Sequence, residues 1–116
     1  MQELINRYFA AMRLGATAED EMLSLFADDA TYIEPFSGDD EPAVGIDAIR
    51  ARFRRGWQTP LPDMELEVLG IEVAGASATS TWECRSPIFP GPVRGTDSYE
   101  FVDGRIARLE VRIDER

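Results

Sequence analysis

Ala30-Thr31-Tyr32-Ile33-Glu34-Pro35-Phe36 sets one carboxylate, Glu34, at the end of a short strand-like run, boxed by aromatics and followed by a proline. A carboxylate facing apolar side chains loses hydration, its pKa rises toward working pH, and it becomes a usable general base. The plainer reading is a strand-end carboxylate answered by solvent or an arginine. A second carboxylate is placed by strand parity. Near the C-terminus Ala107, Leu109, Val111 and Ile113 alternate with Arg108, Glu110, Arg112 and Asp114, so the odd positions face the core. A two-residue Asp103-Gly104 turn would pair position 97 with 110 and put Asp97 on the charged face. A three-residue Val102-Asp103-Gly104 turn, with Gly104 left-handed in a bulge, pairs 97 with 109. The longer turn is expected, because it keeps Tyr99 and Phe101 inside; Asp97 then enters the core beside Leu109. A buried carboxylate is costly unless it is neutral, paired or functional.

Composition narrows the chemistry further. The chain has 116 residues, 22 acids and 12 bases, for a formal charge of −10; every base is arginine, and histidine is absent. Without histidine, Ser-His-Asp and Cys-His arrangements and His-rich zinc sites fall away. Proton transfer is left to Asp, Glu, Tyr or Arg. An acidic chain suits a phosphate backbone poorly, so nucleic acid is not expected as a partner. No apolar run nears the roughly 18 residues of a membrane span, and Gln2, Glu3 and Asn6 interrupt what would be a leader. The single Cys84 fits a cytoplasmic, reducing setting and reads as a small buried hydrophobe. The length is that of one domain, residues 1–116.

The elements that must position these groups follow from periodicity. Leu4, Ile5, Tyr8, Phe9 and Met12 predict a helix over residues 2–14, ended by Gly15. A second helix is expected after Thr17, its cap, with Met22, Leu23, Leu25 and Phe26 buried, stopping at the turn pair Asp28-Asp29. A strand over 30–34, a loop over 37–45 and a third helix from about Ile46 to Trp57 come next. That helix buries Ile46, Ile49, Phe53 and Trp57, with Arg50, Arg52, Arg54 and Arg55 as a solvated face. From Asp63 on, alternation predicts four strands, the first bulged at Gly70, where the apolar phase flips.

Helices, a short strand, another helix and then a bent antiparallel sheet make an α+β cone, and at this point the chain resembles the NTF2-like superfamily, most of all its ketosteroid isomerase-like and SnoaL-like branch. The resemblance rests on Arg7-Tyr8, Ala27-Asp28-Asp29-Ala30-Thr31 leading into Glu34-Pro35-Phe36, Gly45 before Ile46-Asp47-Ala48-Ile49, and Gly104-Arg105-Ile106. It implies three N-terminal helices packed on a strongly bent, mostly antiparallel sheet that encloses a hydrophobic pocket. In ketosteroid isomerases a carboxylate just before Pro-Phe moves a proton between carbons, while a tyrosine and a neutral aspartic acid hold the oxyanion. The resemblance puts Glu34 in the first role and Tyr8 and Asp97 in the others. The base is Glu where the family commonly has Asp, and Phe26 and Phe53 stand where supporting tyrosines occur. Phe26, Tyr32, Phe36, Phe53, Trp57, Trp82, Tyr99, Leu109, Val111 and Ile113 are expected to line the pocket.

The activity so implied is cofactor-independent and metal-free proton transfer, isomerase or cyclase, on a small hydrophobic carbonyl compound. The alternative is a non-catalytic small-ligand-binding or dimerisation domain. A third reading, epoxide hydrolase-like, would need Arg94, Asp97 and Glu110 or Asp114 to converge, against the parity argument. The resemblance also implies a homodimer.

Overall fold

One face of the first helix, α1 (Gln2–Leu14), buries Ile5, Tyr8, Phe9 and Ala11, as its apolar spacing requires. The chain, described here by a computed structural model over residues 1–38 and 41–114, continues through a 3-10 turn (Gly15–Ala18) into α2 (Glu19–Ser24). There follow β1 (Phe26–Ile33), β2 (Ala43–Val44), α3 (Ile46–Trp57), β3 (Glu65–Ala74), β4 (Ser77–Arg85), β5 (Val93–Val102) and β6 (Arg105–Ile113). The six strands form one sheet in the order β2-β1-β6-β5-β4-β3. The sheet is mixed, because β1 runs parallel to β6 while the other neighbours are antiparallel. Residues from the helices and from the inner sheet face share one hydrophobic core. No helix among the described residues is long and apolar enough to cross a membrane.

Several local expectations are corrected. There are two full-length helices, not three: the second is only six residues after a 3-10 turn. Thr17 does not cap it; its hydroxyl donates back to Leu14 O at 3.1 Å. Phe26 belongs to β1 rather than to that helix, because Ile106 N donates to Leu25 O and Phe26 pairs with Ile106. Asp28 and Asp29 therefore lie inside β1, where the register with β6 slips between Phe26 and Thr31, and both are exposed. The expected loop 37–45 holds β2, paired to β1 at Thr31 and Tyr32, and positions 39 and 40 lie outside the described residues.

The β3 bulge occurs where the apolar phase flips: Val68 pairs with Trp82 and Gly70 with Thr81. The last hairpin reaches the expected face by a different route. Its turn is the two-residue Asp103-Gly104, with φ of 51° and 76°, the pair of left-handed residues that a type I′ hairpin turn needs. Val102 pairs with Arg105 and Phe101 with Ile106, but Glu100 pairs with Arg108, so Ala107 is the extra residue of a bulge inside β6. That bulge restores the parity that the short turn would have lost. Asp97 faces inward opposite Val111, not beside Leu109, whose partner is Tyr99.

Arg52 was expected in a solvated helix face, yet it turns inward. Its side chain is 10% exposed, Nη1 lies 3.1 Å from Glu34 Oε1, and Nη2 donates to Glu41 O. Glu34, 5% exposed, also accepts from Phe36 N at 2.6 Å, Ser37 N at 2.9 Å and the Ser37 hydroxyl at 2.5 Å. The ion pair ties the segment after β1 to α3. Removing one partner of a buried pair leaves the other charge desolvated and unanswered. Arg52→Ala is expected to lower unfolding free energy by about 3 kcal/mol; urea unfolding that shows no loss would place the pair among the inconsequential surface bridges.

Candidate active site

The inner face of β4 and β5 carries residues of alternating size. Trp82 lies opposite Gly95, Ser80 opposite Asp97, and Ala78 opposite Tyr99. Side chains on neighbouring antiparallel strands also reach their diagonal neighbours, and two bonds here run along that diagonal. Trp82 Nε1 donates to Asp97 Oδ1 at 2.9 Å, and the Ser80 hydroxyl lies 2.7 Å from the Tyr99 hydroxyl. Tyr99 in turn donates to Asp97 Oδ2 at 3.2 Å. Both oxygens of a carboxyl that is 1% exposed are thus held. Burial pushes Asp97 up, and the bonds from Trp82, Tyr99 and Ser80 draw it partly back, to a pKa of about 6. It therefore changes charge close to neutral pH, as a proton-transfer group should.

Gly95 is a requirement of this geometry. A Cβ there would lie 2.5 Å from Trp82 Cε2 and 2.7 Å from the Arg112 carbonyl oxygen, so the indole rests on bare backbone.

Tyr8 reaches the same region from α1. Its ring meets that of Tyr99 edge to face at 6.2 Å, and its hydroxyl interacts with that of Tyr32. Burial first, then the surrounding phenols and Asp97, hold the Tyr8 hydroxyl well above its ordinary pKa. Tyr32 is raised as well, by burial and then by the charges of Glu34 and Asp97. Both phenols are consequently neutral donors. Tyr32 stacks on Phe53 at 5.0 Å, and Phe53 on Trp57 at 5.6 Å, with Phe26 tilted against Phe53.

Glu34 has the surroundings of a turn anchor. Burial would raise its pKa, but the Ser37 hydroxyl, the Ser37 and Phe36 amides and Arg52 outweigh burial and hold it below the ordinary glutamate value. A carboxylate that accepts from four donors has lost basicity rather than gained it. The plainer reading of this residue, a strand-end carboxylate answered by an arginine, describes what surrounds it.

The structure gathers Tyr8, Phe26, Tyr32, Phe53, Trp82, Tyr99, Leu109 and Val111 in the hydrophobic core, with Trp57 half-buried at its edge, and buries Asp97 as well. Two expected lining residues stand apart. Phe36 is 59% exposed, because Glu34 holds its backbone in the turn and its ring reaches no nearer than 6.5 Å to that of Trp82. Ile113 is 44% exposed at the end of β6. Arg94, Glu110 and Asp114 do not converge on Asp97: Arg94 pairs with Glu83, Glu110 with Arg108, and Asp114 accepts from Thr96. Sequence reasoning missed Ser80, Gly95 and the inward turn of Arg52. The small residues facing large ones at 78/99 and 82/95 were the available signal, once β4 and β5 were aligned.

The SnoaL-like domain family matches residues 5–109. Solved structures share the fold. A Sinorhizobium meliloti protein provisionally assigned as a polyketide cyclase is 26% identical, with 95% of this chain and 94% of that one aligned at a TM-score of 0.77. A Kribbella flavida protein provisionally assigned as a ketosteroid isomerase is 24% identical, with 98% and 77% aligned at 0.75. A Jannaschia protein provisionally assigned as a SnoaL-like polyketide cyclase is 14% identical, with 97% and 83% aligned at 0.79. No curated protein sequence matches the chain. With nearly its whole length matched, from α1 through most of β6, the chain belongs to the SnoaL-like domain family, within the NTF2-like fold.

Proposed function

We propose that this chain is a cofactor-independent proton-transfer enzyme, an isomerase or cyclase, acting on a small hydrophobic carbonyl compound bound against the inner face of β4 and β5. The observation that supports this best is the buried Asp97 carboxyl, poised near pH 6 and fixed at both oxygens, beside two neutral phenols. In this reading Asp97, rather than Glu34, takes the proton from the carbon next to the carbonyl. The C–H electron pair moves into an enolate, whose oxygen accepts hydrogen bonds from Tyr8 and Tyr32. An isomerase returns the proton to a different carbon; a cyclase lets the enolate carbon attack a second carbonyl within the same molecule. Glu34 keeps the loop after β1 in place.

A 5-ene-3-ketosteroid is a suitable first substrate, because the conjugated product absorbs in the ultraviolet. Asp97→Asn is expected to lower kcat/KM by about 100-fold or more, and Glu34→Gln far less. The reverse order would return the base role to Glu34. Because the base must be ionised, kcat/KM of the wild type is expected to rise with pH through about 6 and then level off.

Stability carries the same signature with a defined sign. Asp97 binds its proton more tightly folded (about 6) than an unfolded aspartate does (about 3.9), so its contribution is full below pH 4 and is lost as pH rises through 6. Glu34 is opposite: its folded pKa is depressed, so its contribution is present above the unfolded value and is lost as pH falls through the folded one. Asp97→Asn is expected to match the wild type near pH 4 and to exceed it by about 3 kcal/mol near pH 8. Urea unfolding at the two pH values reads this directly; equal gains at both would mean that Asp97 does not titrate as described.

A non-catalytic ligand-binding domain is the second reading, favoured by the Glu34–Arg52 pair, which occupies the carboxylate that the isomerases use. A fluorescent naphthol-type phenol separates the two. An enolate-holding site binds it with the spectrum of the phenolate, and a simple apolar cleft with that of the neutral phenol.

A further inference from the structure

We propose that Trp82 is the positioning residue of this site: its indole, seated on the side-chain-free backbone of Gly95, aims Nε1–H at Asp97 Oδ1 and thereby fixes both the plane and the charge of the carboxyl. The inference rests on the reading of Asp97 as the proton-transfer group.

Three observations carry it. Trp82 is 5% exposed and donates its only N–H to Asp97, on the diagonal of the β4–β5 ladder. The indole has one seat, because position 95 leaves no room between Trp82 Cε2 and Arg112 O for even a methyl group. The other carboxyl oxygen is taken by Tyr99, itself aligned by Ser80, so the carboxyl cannot rotate without breaking one of two bonds. Indole N–H is a donor that neither ionises nor accepts. It favours the ionised carboxylate against burial and cannot take the proton itself. A carboxylate has room for about four donors; with Trp82, Tyr99 and Ser80 engaged, an acceptor position remains for a substrate proton. The charged and titratable groups facing Asp97 are Tyr8 from α1, Tyr32 from β1 and Tyr99 from its own strand, all neutral phenols. Its charge is therefore set by burial on one side and by the donors Trp82, Tyr99 and Ser80 on the other, with Trp82 the foremost of the three.

The test is a carboxyl-carbon NMR titration of protein labelled at aspartate, with the Asp97 signal assigned through Asp97→Asn. Trp82→Phe keeps an aromatic ring and removes the N–H. The Asp97 midpoint is expected to rise by about one unit, and the acid limb of kcat/KM to rise with it. Gly95→Ala is expected to displace the indole and raise the midpoint as well; should that variant not fold, Trp82→Phe decides alone. A midpoint unchanged in folded Trp82→Phe overturns the proposal. So does a lowered one, which would mean that the indole acts only by excluding water. If the midpoint rises while no variant, nor the wild type, shows proton transfer, the role of Trp82 stands and the enzymatic reading falls.

Discussion

A carboxyl group buried in an aromatic wall is the constraint on which the rest of this structure turns. Asp97 loses its water to the core, and the energetic cost of that loss has to be answered locally. The answer comes from neutral donors, an indole and a phenol, and not from an arginine. An arginine would have locked the group in its ionised form. Neutral donors offset part of the cost and leave the proton exchangeable. Among the described residues, several arginines are engaged elsewhere: Arg7 with Glu21, Arg54 with Glu19, Arg85 with Glu65, Glu67 and Glu83, Arg94 with Glu83. Those pairs belong to the helix surfaces and the outer sheet face, and Arg52, which turns inward, is held by Glu34 rather than by Asp97.

Glu34 and Asp97 show how surroundings separate two similar groups. Both are largely buried. Glu34 collects an ion pair, two amides and a hydroxyl, and becomes a fixed anion that organises a loop. Asp97 collects an indole and a phenol and stays near its titration point. The pattern Glu-Pro-Phe is legible in the sequence, but the direction in which Arg52 points is not. Four arginines occur within six positions of α3, and helical phase alone places none of them decisively beside the loop.

The helices with strong periodicity, α1 and α3, are readable in position and extent, because burial of an amphipathic stripe leaves little freedom. The segment between α1 and β1 was not. Its apolar residues suit a helix, but pairing with β6 draws Phe26 into the sheet, and tertiary hydrogen bonding overrides local preference there. The bulge in β3 was visible because a glycine coincides with a change of phase. The bulge in β6 was not, since Ala107 fits either the odd or the even face. The inward direction of Asp97 was nevertheless recovered, because the need to bury Tyr99 and Phe101 fixes the outcome whichever device achieves it.

That bulge has a consequence for how the chain can vary. The two faces of β5 are assigned by a running count of residues from the turn, and Ala107 is the digit that corrects the count. Exchanging Ala107 for another small side chain leaves the tally intact. Losing it would slide the ladder by one place and present Thr96 and Ser98, rather than Asp97 and Tyr99, to the helices. Length at this point is therefore heritable information in its own right: the chemistry of the inner face depends on one residue being there more than on which residue it is.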